Sequence, residues 1–299
     1  MILPLLILAA GLAGSGYAQI SNDGYAAYGE LMVLPFASAP FPHPQRAEGH
    51  QYKQQFFSAK DHYSDSRVAL FIPKGFRETG TIDLVVHFHG WGNEVTNVLP
   101  HYQLIEQFVE SGRNAVLVVP QGPFNASDSF GGKLEDPDGF KRFTDEVTAT
   151  LREKSTLKRK DFTLGKIILS GHSGGYEVIS SIVDRGGMTE HVKEVWLFDA
   201  LYAQTDKFVA WFDRQHGRFL DIYTDHGGTK GETELLIAAL NKRGTPFLSG
   251  QETALKPDDL RTNQLVFIHT ELPHDAVPVK HKTFREFLET SCLEEMKPK

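Results

Sequence analysis

The residues best suited to chemistry lie in Lys166-Ile167-Ile168-Leu169-Ser170-Gly171-His172-Ser173-Gly174-Gly175-Tyr176-Glu177. Here Gly-x-Ser-x-Gly follows an apolar run and precedes a helical pattern. A serine in this setting sits at a sharp strand-to-helix turn. Glycines two residues before and after leave room where a β-carbon would strike the neighbouring chain. The turn lifts the Ser173 hydroxyl above the sheet edge and aims the Gly174 amide at a substrate oxygen. The helix N-terminus beneath favours developing negative charge. This is equipment for nucleophilic attack on a carbonyl. The blander reading, a tight turn with an idle serine, is disfavoured by the strand before it and the helix after it.

A second informative stretch is Leu84-Val85-Val86-His87-Phe88-His89-Gly90-Trp91-Gly92, a strand pattern ending in His-Gly. His87 and His89 alternate on one strand face and suggest a metal pair, but no nearby carboxylate or third histidine completes a ligand set. No metal and no cofactor are expected. Two aspartates compete for attention downstream. Asp199 lies in the apolar stretch Trp196-Leu197-Phe198-Asp199-Ala200-Leu201-Tyr202, where an ionised carboxylate is costly without a defined partner. Asp225 lies in the Gly-rich turn Thr224-Asp225-His226-Gly227-Gly228, where aspartate is common for backbone reasons alone.

The strand–Gly-His-Ser-Gly-Gly–helix segment resembles the nucleophile elbow of the α/β-hydrolase superfamily, and the resemblance extends over about Val68 to Ser291. It implies that the backbone N–H of Trp91, just beyond the His-Gly, is the second oxyanion donor beside that of Gly174. It also implies the chain order serine, acid, histidine. The histidine is then His274, in Glu271-Leu272-Pro273-His274-Asp275-Ala276-Val277-Pro278, directly after the last strand pattern. His269 within that strand and His281 beyond it read as structural. Most members place the acid after the later strand, at Asp225, and some after the earlier one. The apolar setting of Asp199 makes it the preferred acid, with Asp225 the alternative. His89, Gly90 and His172 flank the two turns and are expected to contact substrate. Trp91 and Phe130 are read either as substrate-contacting rings or as core.

The elements that must position these groups alternate along the chain. Strands are expected at Val68–Pro73, Ile82–Phe88, Ala115–Val119, Lys166–Leu169, Val192–Phe198, Phe219–Tyr223 and Leu265–His269. Several are uninterrupted β-branched and aliphatic runs, as strands buried on both faces require. Helical patterns lie between them at Leu104–Gly112, Gly139–Lys154, Tyr176–Arg185, Lys207–Arg214, Glu232–Arg243 and Val279–Ser291. The expectation is an α/β domain with a mostly parallel central sheet and helices on both faces. About twenty residues separate Asp199 from the next strand, too few for a large lid. A polar, Gly-rich excursion from Gln121 to Gly139 should line the cleft instead. Residues 19–66 are expected to form an irregular arm and residues 67–299 the catalytic domain.

Composition bounds the remaining possibilities. The net charge of −7 comes with dispersed Lys and Arg, and the Lys158-Arg159-Lys160 cluster reads as a solvated face, so a nucleic-acid partner is not expected. Cys292 is the one cysteine, which excludes an intramolecular disulfide. The apolar run from Ile2 to Ala13, followed by Gly16-Tyr17-Ala18, reads as a signal peptide cleaved after Ala18, too short to span a bilayer comfortably. The mature protein is therefore expected to be a secreted or periplasmic monomer without stable membrane insertion. Its expected activity is hydrolysis of short-acyl, carbohydrate-linked or other bulky polar esters. An exported peptidase or amidase on the same fold is the alternative, followed by a non-catalytic binding protein.

Overall fold

A computed structural model describes residues 24–296. The expected signal peptide, residues 1–18, lies outside the described residues. Eleven strands are present among the described residues: β1 (Gly29–Pro35), β2 (His50–Tyr52), β3 (Gln55–Phe57), β4 (Arg67–Pro73), β5 (Thr81–Phe88), β6 (Val116–Pro120), β7 (Thr163–His172), β8 (Val192–Phe198), β9 (Arg218–Thr224), β10 (Leu248–Gln251) and β11 (Leu265–Thr270). Nine of them form one sheet in the order β1-β4-β6-β5-β7-β8-β9-β11-β10, and β2 and β3 form a separate hairpin. The sheet is parallel from β6 to β10, with β4 antiparallel to both β1 and β6.

The expected apolar runs are the interior strands, and their alternation builds a core on each face. In β5, Leu84 and Val86 face one cluster, while Val85 faces the other. In β8, Val195 and Leu197 face the first, while Trp196 and Phe198 face the second. The first cluster is closed by α4 (Gly139–Lys154), α5 (Tyr176–Arg185), α6 (Thr205–Gln215) and α7 (Lys230–Arg243). The second is closed by α2 (Val95–His101), α3 (Leu104–Glu110), α8 (Pro257–Thr262) and α9 (Thr283–Glu289). The remaining helix, α1 (Ala59–His62), follows the hairpin. Each fully buried Leu, Val or Phe contributes about 1.5–3 kcal/mol. Such burial on both faces leaves the site at the strand ends with a rigid base.

The edges depart from expectation. Residues 29–35 are not irregular: β1 pairs with β4 along its whole length, although Leu31 is its one fully buried side chain. An edge strand with so little burial carries almost no periodic signal. The arm beyond it is packed rather than draped. Phe36, Ala39 and Phe41 are buried, and Arg46 holds Asp128 through Nε at 2.7 Å and Nη2 at 3.1 Å. The last helix starts at Thr283 rather than Val279, because Lys282 sits at φ 56°, outside helical geometry.

Two buried carboxyls make stability depend on pH. Burial pushes Glu135 up to about 7, against the hydrogen bond its side chain accepts from the Gly131 amide. Burial likewise pushes Asp221 up to about 7, against a hydrogen bond from the Thr233 hydroxyl. A carboxyl with a raised folded-state pKa favours the folded state at low pH and loses that advantage as pH rises through its folded value. The unfolding free energy should therefore fall between about pH 4 and pH 7, by about 3–4 kcal/mol for each group. Denaturant titrations across that range should show a flatter profile for Glu135→Gln and Asp221→Asn than for the parent. Parallel profiles would contradict the assignment.

Candidate active site

Ser173 stands at the end of β7, where a short 3-10 turn leads into α5. Its backbone adopts φ 55°, the left-handed region that non-glycine residues seldom occupy. The glycines around it are required by close approach. A β-carbon on Gly175 would lie 2.7 Å from the Phe88 carbonyl oxygen at the end of β5. One on Gly90 would lie 2.5 Å from Ser173 Cβ and 3.0 Å from its Oγ. The turn holding Gly90 and Trp91 is thereby pressed against the serine, and Gly174 follows the serine directly. The backbone amides of Trp91 and Gly174 thus belong to the two turns that meet at Ser173.

Asp199 follows β8, fully buried and itself at φ 46°. Its Oδ2 accepts from His274 Nδ1 at 2.5 Å and from the Thr224 hydroxyl at 3.1 Å. Its Oδ1 accepts from the Thr224 amide at 3.2 Å and from the Thr229 hydroxyl. Burial alone would raise its pKa, but the bonds from His274 and Thr229 outweigh that and hold it below the usual carboxylate range. An ionised carboxylate can only accept, so the His274 proton sits on Nδ1 and Nε2 is free to take a proton from an alcohol. Asp225 is engaged elsewhere. It is exposed, 2.6 Å from Lys230 Nζ and 3.2 Å from His269 Nε2. Of the two candidate acids, the structure brings only Asp199 to His274.

His172 is buried, 2% exposed, and both ring nitrogens have internal partners. Nε2 lies 3.1 Å from the His274 carbonyl oxygen and Nδ1 lies 3.1 Å from the Tyr102 hydroxyl. Burial drives its pKa down to about 3, so the ring is neutral. Its one proton must then go to the carbonyl, and Tyr102 must donate to Nδ1. The His172 ring also packs on that of His274, with centroids 4.5 Å apart. His172 therefore braces the loop that carries His274. Donor atoms of His172, His274 and Asp275 lie within 4.8 Å of one another, but those of His172 are already committed.

His89 is likewise buried, with both ring nitrogens engaged internally. Its Nδ1 donates to the Gly90 carbonyl at 2.8 Å, and Nε2 accepts from the Gly122 amide at 3.0 Å. His87 is fully buried, with Nδ1 2.9 Å from Ser170 Oγ. Phe130 also points inward, at 8% exposure, against Phe41 and His43 with the Arg46 guanidinium 4.6 Å above its ring. Trp91 is the ring left in the open, at 43% exposure. The excursion from Gln121 to Gly139 reaches the site through Ser129, whose Oγ accepts from Trp91 Nε1 at 2.7 Å.

Tyr202, three residues beyond Asp199, has no motif to announce it. Burial pushes its hydroxyl up to about 12; the hydroxyl donates to the Gly227 carbonyl at 2.6 Å and contacts the Ser173 side chain. Its spacing from Asp199 was the available signal, since residues just after a strand carrying a functional carboxylate share its end of the sheet.

No protein-family model matches the chain, and no curated protein matches it. Solved structures do. A mutant of the feruloyl esterase module from Clostridium thermocellum, complexed with sinapinate, aligns with TM-score 0.54 and 9% identity over 88% of each chain. The fluorophosphonate-binding serine hydrolase F of Staphylococcus aureus, with substrate bound, aligns with TM-score 0.51 and 11% identity over 88% of this chain and 99% of that one. A ferulic acid esterase aligns with TM-score 0.52 and 12% identity over 75% of this chain and 90% of that one. At such identities the likeness speaks for architecture alone. Together with the mostly parallel sheet and the glycine-flanked serine turn between β7 and α5, it establishes that this chain has the α/β-hydrolase fold.

Proposed function

We propose that the protein is a serine hydrolase that cleaves carboxylic esters, with Ser173 as nucleophile, His274 as general base and Asp199 as the acid that orients it. The observation that carries this reading is the 2.5 Å bond from His274 Nδ1 to the buried Asp199, which leaves Nε2 bare on a loop braced by the residue preceding Ser173. In the first step His274 takes the Ser173 proton as Oγ attacks the acyl carbonyl. The amides of Trp91 and Gly174 stabilise the oxyanion, each worth about 3 kcal/mol. Collapse expels the alcohol, which takes the proton from His274, and water releases the acyl group by the same route.

Two of the solved structures named above are feruloyl or ferulic acid esterases, which favours an ester over an amide substrate. The open polar surroundings of Trp91 and Ser129 favour short-acyl or carbohydrate-linked esters over long-chain lipids. Among the described residues no helix is long and apolar enough to cross a membrane. The apolar run from Ile2 to Ala13, with Gly16-Tyr17-Ala18 after it, supports an exported protein. The test is labelling of the mature protein with a fluorophosphonate. The expected result is one label per chain, located on the peptide containing Ser173. An unlabelled protein, or a label confined to another residue, would overturn the reading.

A further inference from the structure

The hairpin of β2 and β3 has no part in the sheet, yet it touches the site. Tyr52 at its turn meets the Trp91 indole edge-on, with ring centroids 4.9 Å apart and an interplanar angle of 71°. Ser129 fixes the same indole through Nε1 at 2.7 Å. From below, Gly174 closes on it: a β-carbon there would lie 2.8 Å from Trp91 Cδ1. The indole is thus held on three sides, one residue from Ser173, while 43% of Trp91 remains exposed. A large side chain left in water but held so firmly is preorganised, since ordering it costs nothing at the moment of binding. Lys53 places its ammonium 5.2 Å from the Tyr52 ring centroid, adding a polar group at the outer rim.

The neighbouring space directs a substrate toward this platform. The cavity that reaches Gly174 between Phe88, His89, Ser129 and Phe130 holds about 20 Å³, room for about one water. A substituent larger than that on a bound ester must lie on the open side, where Trp91, 43% exposed, is the large apolar side chain beside Gly174. A flat, rigid aromatic face suits a flat partner better than a flexible chain, which would lose rotamer freedom against it.

We infer that Trp91, wedged by Tyr52 and Ser129, is a ring-binding subsite that selects esters carrying a ring beside the scissile bond. This rests on Ser173 being the residue that attacks the ester. The ring is either an aryl group, which lays a planar π face on the indole, or a sugar, which lays the apolar C–H face of its chair there.

Binding can be read without turnover, because Trp196 and Trp211 are fully buried and Trp91 is the remaining tryptophan of three. Ser173→Ala protein is titrated with methyl 3-phenylpropanoate, with an acetylated methyl xyloside and with ringless methyl butyrate, under selective tryptophan excitation. A saturable change is expected with at least one ring-bearing ester and none with methyl butyrate at equal concentration. Tyr52→Ala, which removes the wedge, should weaken that binding at least about fivefold, and Tyr52→Phe should retain it. Response to the phenyl ester alone assigns an aryl subsite; response to the xyloside alone assigns a sugar subsite. Equal responses to all three esters, or none to any, would overturn the subsite even if Ser173 takes the fluorophosphonate. A ring-selective response in a protein that takes no label would keep the subsite and defeat the hydrolase reading.

Discussion

Ser173→Ala is expected to lower kcat for an activated short-chain ester by about 10⁵–10⁶-fold while leaving the protein folded. The size of the loss follows from what alanine removes. The proposed mechanism routes bond formation and the first proton transfer through one oxygen, so no neighbouring group can substitute for it. The half-buried Ser173 side chain sits at a left-handed backbone position that alanine enters at much the same cost. The Tyr202 hydroxyl keeps its bond to Gly227 when Ser173 is truncated, so no buried group is orphaned. A melting temperature close to the parent's, with activity lost, is the expected pair of results. Residual turnover from oxyanion donors and binding alone would stay within about 10³–10⁴-fold of water. Retention of more than a few per cent of parental activity would exclude Ser173 as the nucleophile.

How much of this was legible in the sequence follows from what each signal encodes. Interior strands are buried on two faces, so β6, Val195–Phe198 of β8 and Leu265–Ile268 of β11 are unbroken apolar runs, and the expected bounds of these three strands lie within a residue of the observed ones. Edge elements get their shape from a neighbour. β10 reads Leu248-Ser249-Gly250-Gln251 and becomes a strand by pairing with β11, while α2 contains Pro100 and looks like loop. The serine turn was legible because its glycines answer a local steric demand. The orientation of rings was not. His89 and His172 flank the two turns and Phe130 lies in the excursion from Gln121 to Gly139, but what their rings pack against is encoded by no spacing. In the fold His89 holds Gly122, His172 holds the His274 carbonyl, and Phe130 fills the arm's cluster. Tyr102 and the hairpin residue Tyr52 come from distant segments whose approach no spacing encodes.

The sharpest discrimination is between the two aspartates. Asp199→Asn is expected to reduce kcat by about 10⁴-fold, because the amide would present a donor to His274 and push its proton to Nε2, the wrong nitrogen for accepting from Ser173. Asp225→Asn should change kcat by less than about twofold, since it breaks an exposed ion pair with Lys230, a class worth about 0–1 kcal/mol. The local packing explains why only one of them can serve. A β-carbon on Gly227 would fall 1.7 Å from Asp199 Oδ2, so the turn containing Asp225 folds flat over the first carboxylate and sends its own outward. The two substitutions also separate spectroscopically. A strong hydrogen bond to an ionised carboxylate moves the His274 Nδ1 proton far downfield, and that resonance should vanish in Asp199→Asn and persist in Asp225→Asn. Full activity in Asp199→Asn with loss in Asp225→Asn would require the turn at 225–228 to refold over His274, and would assign the acid to the later strand instead.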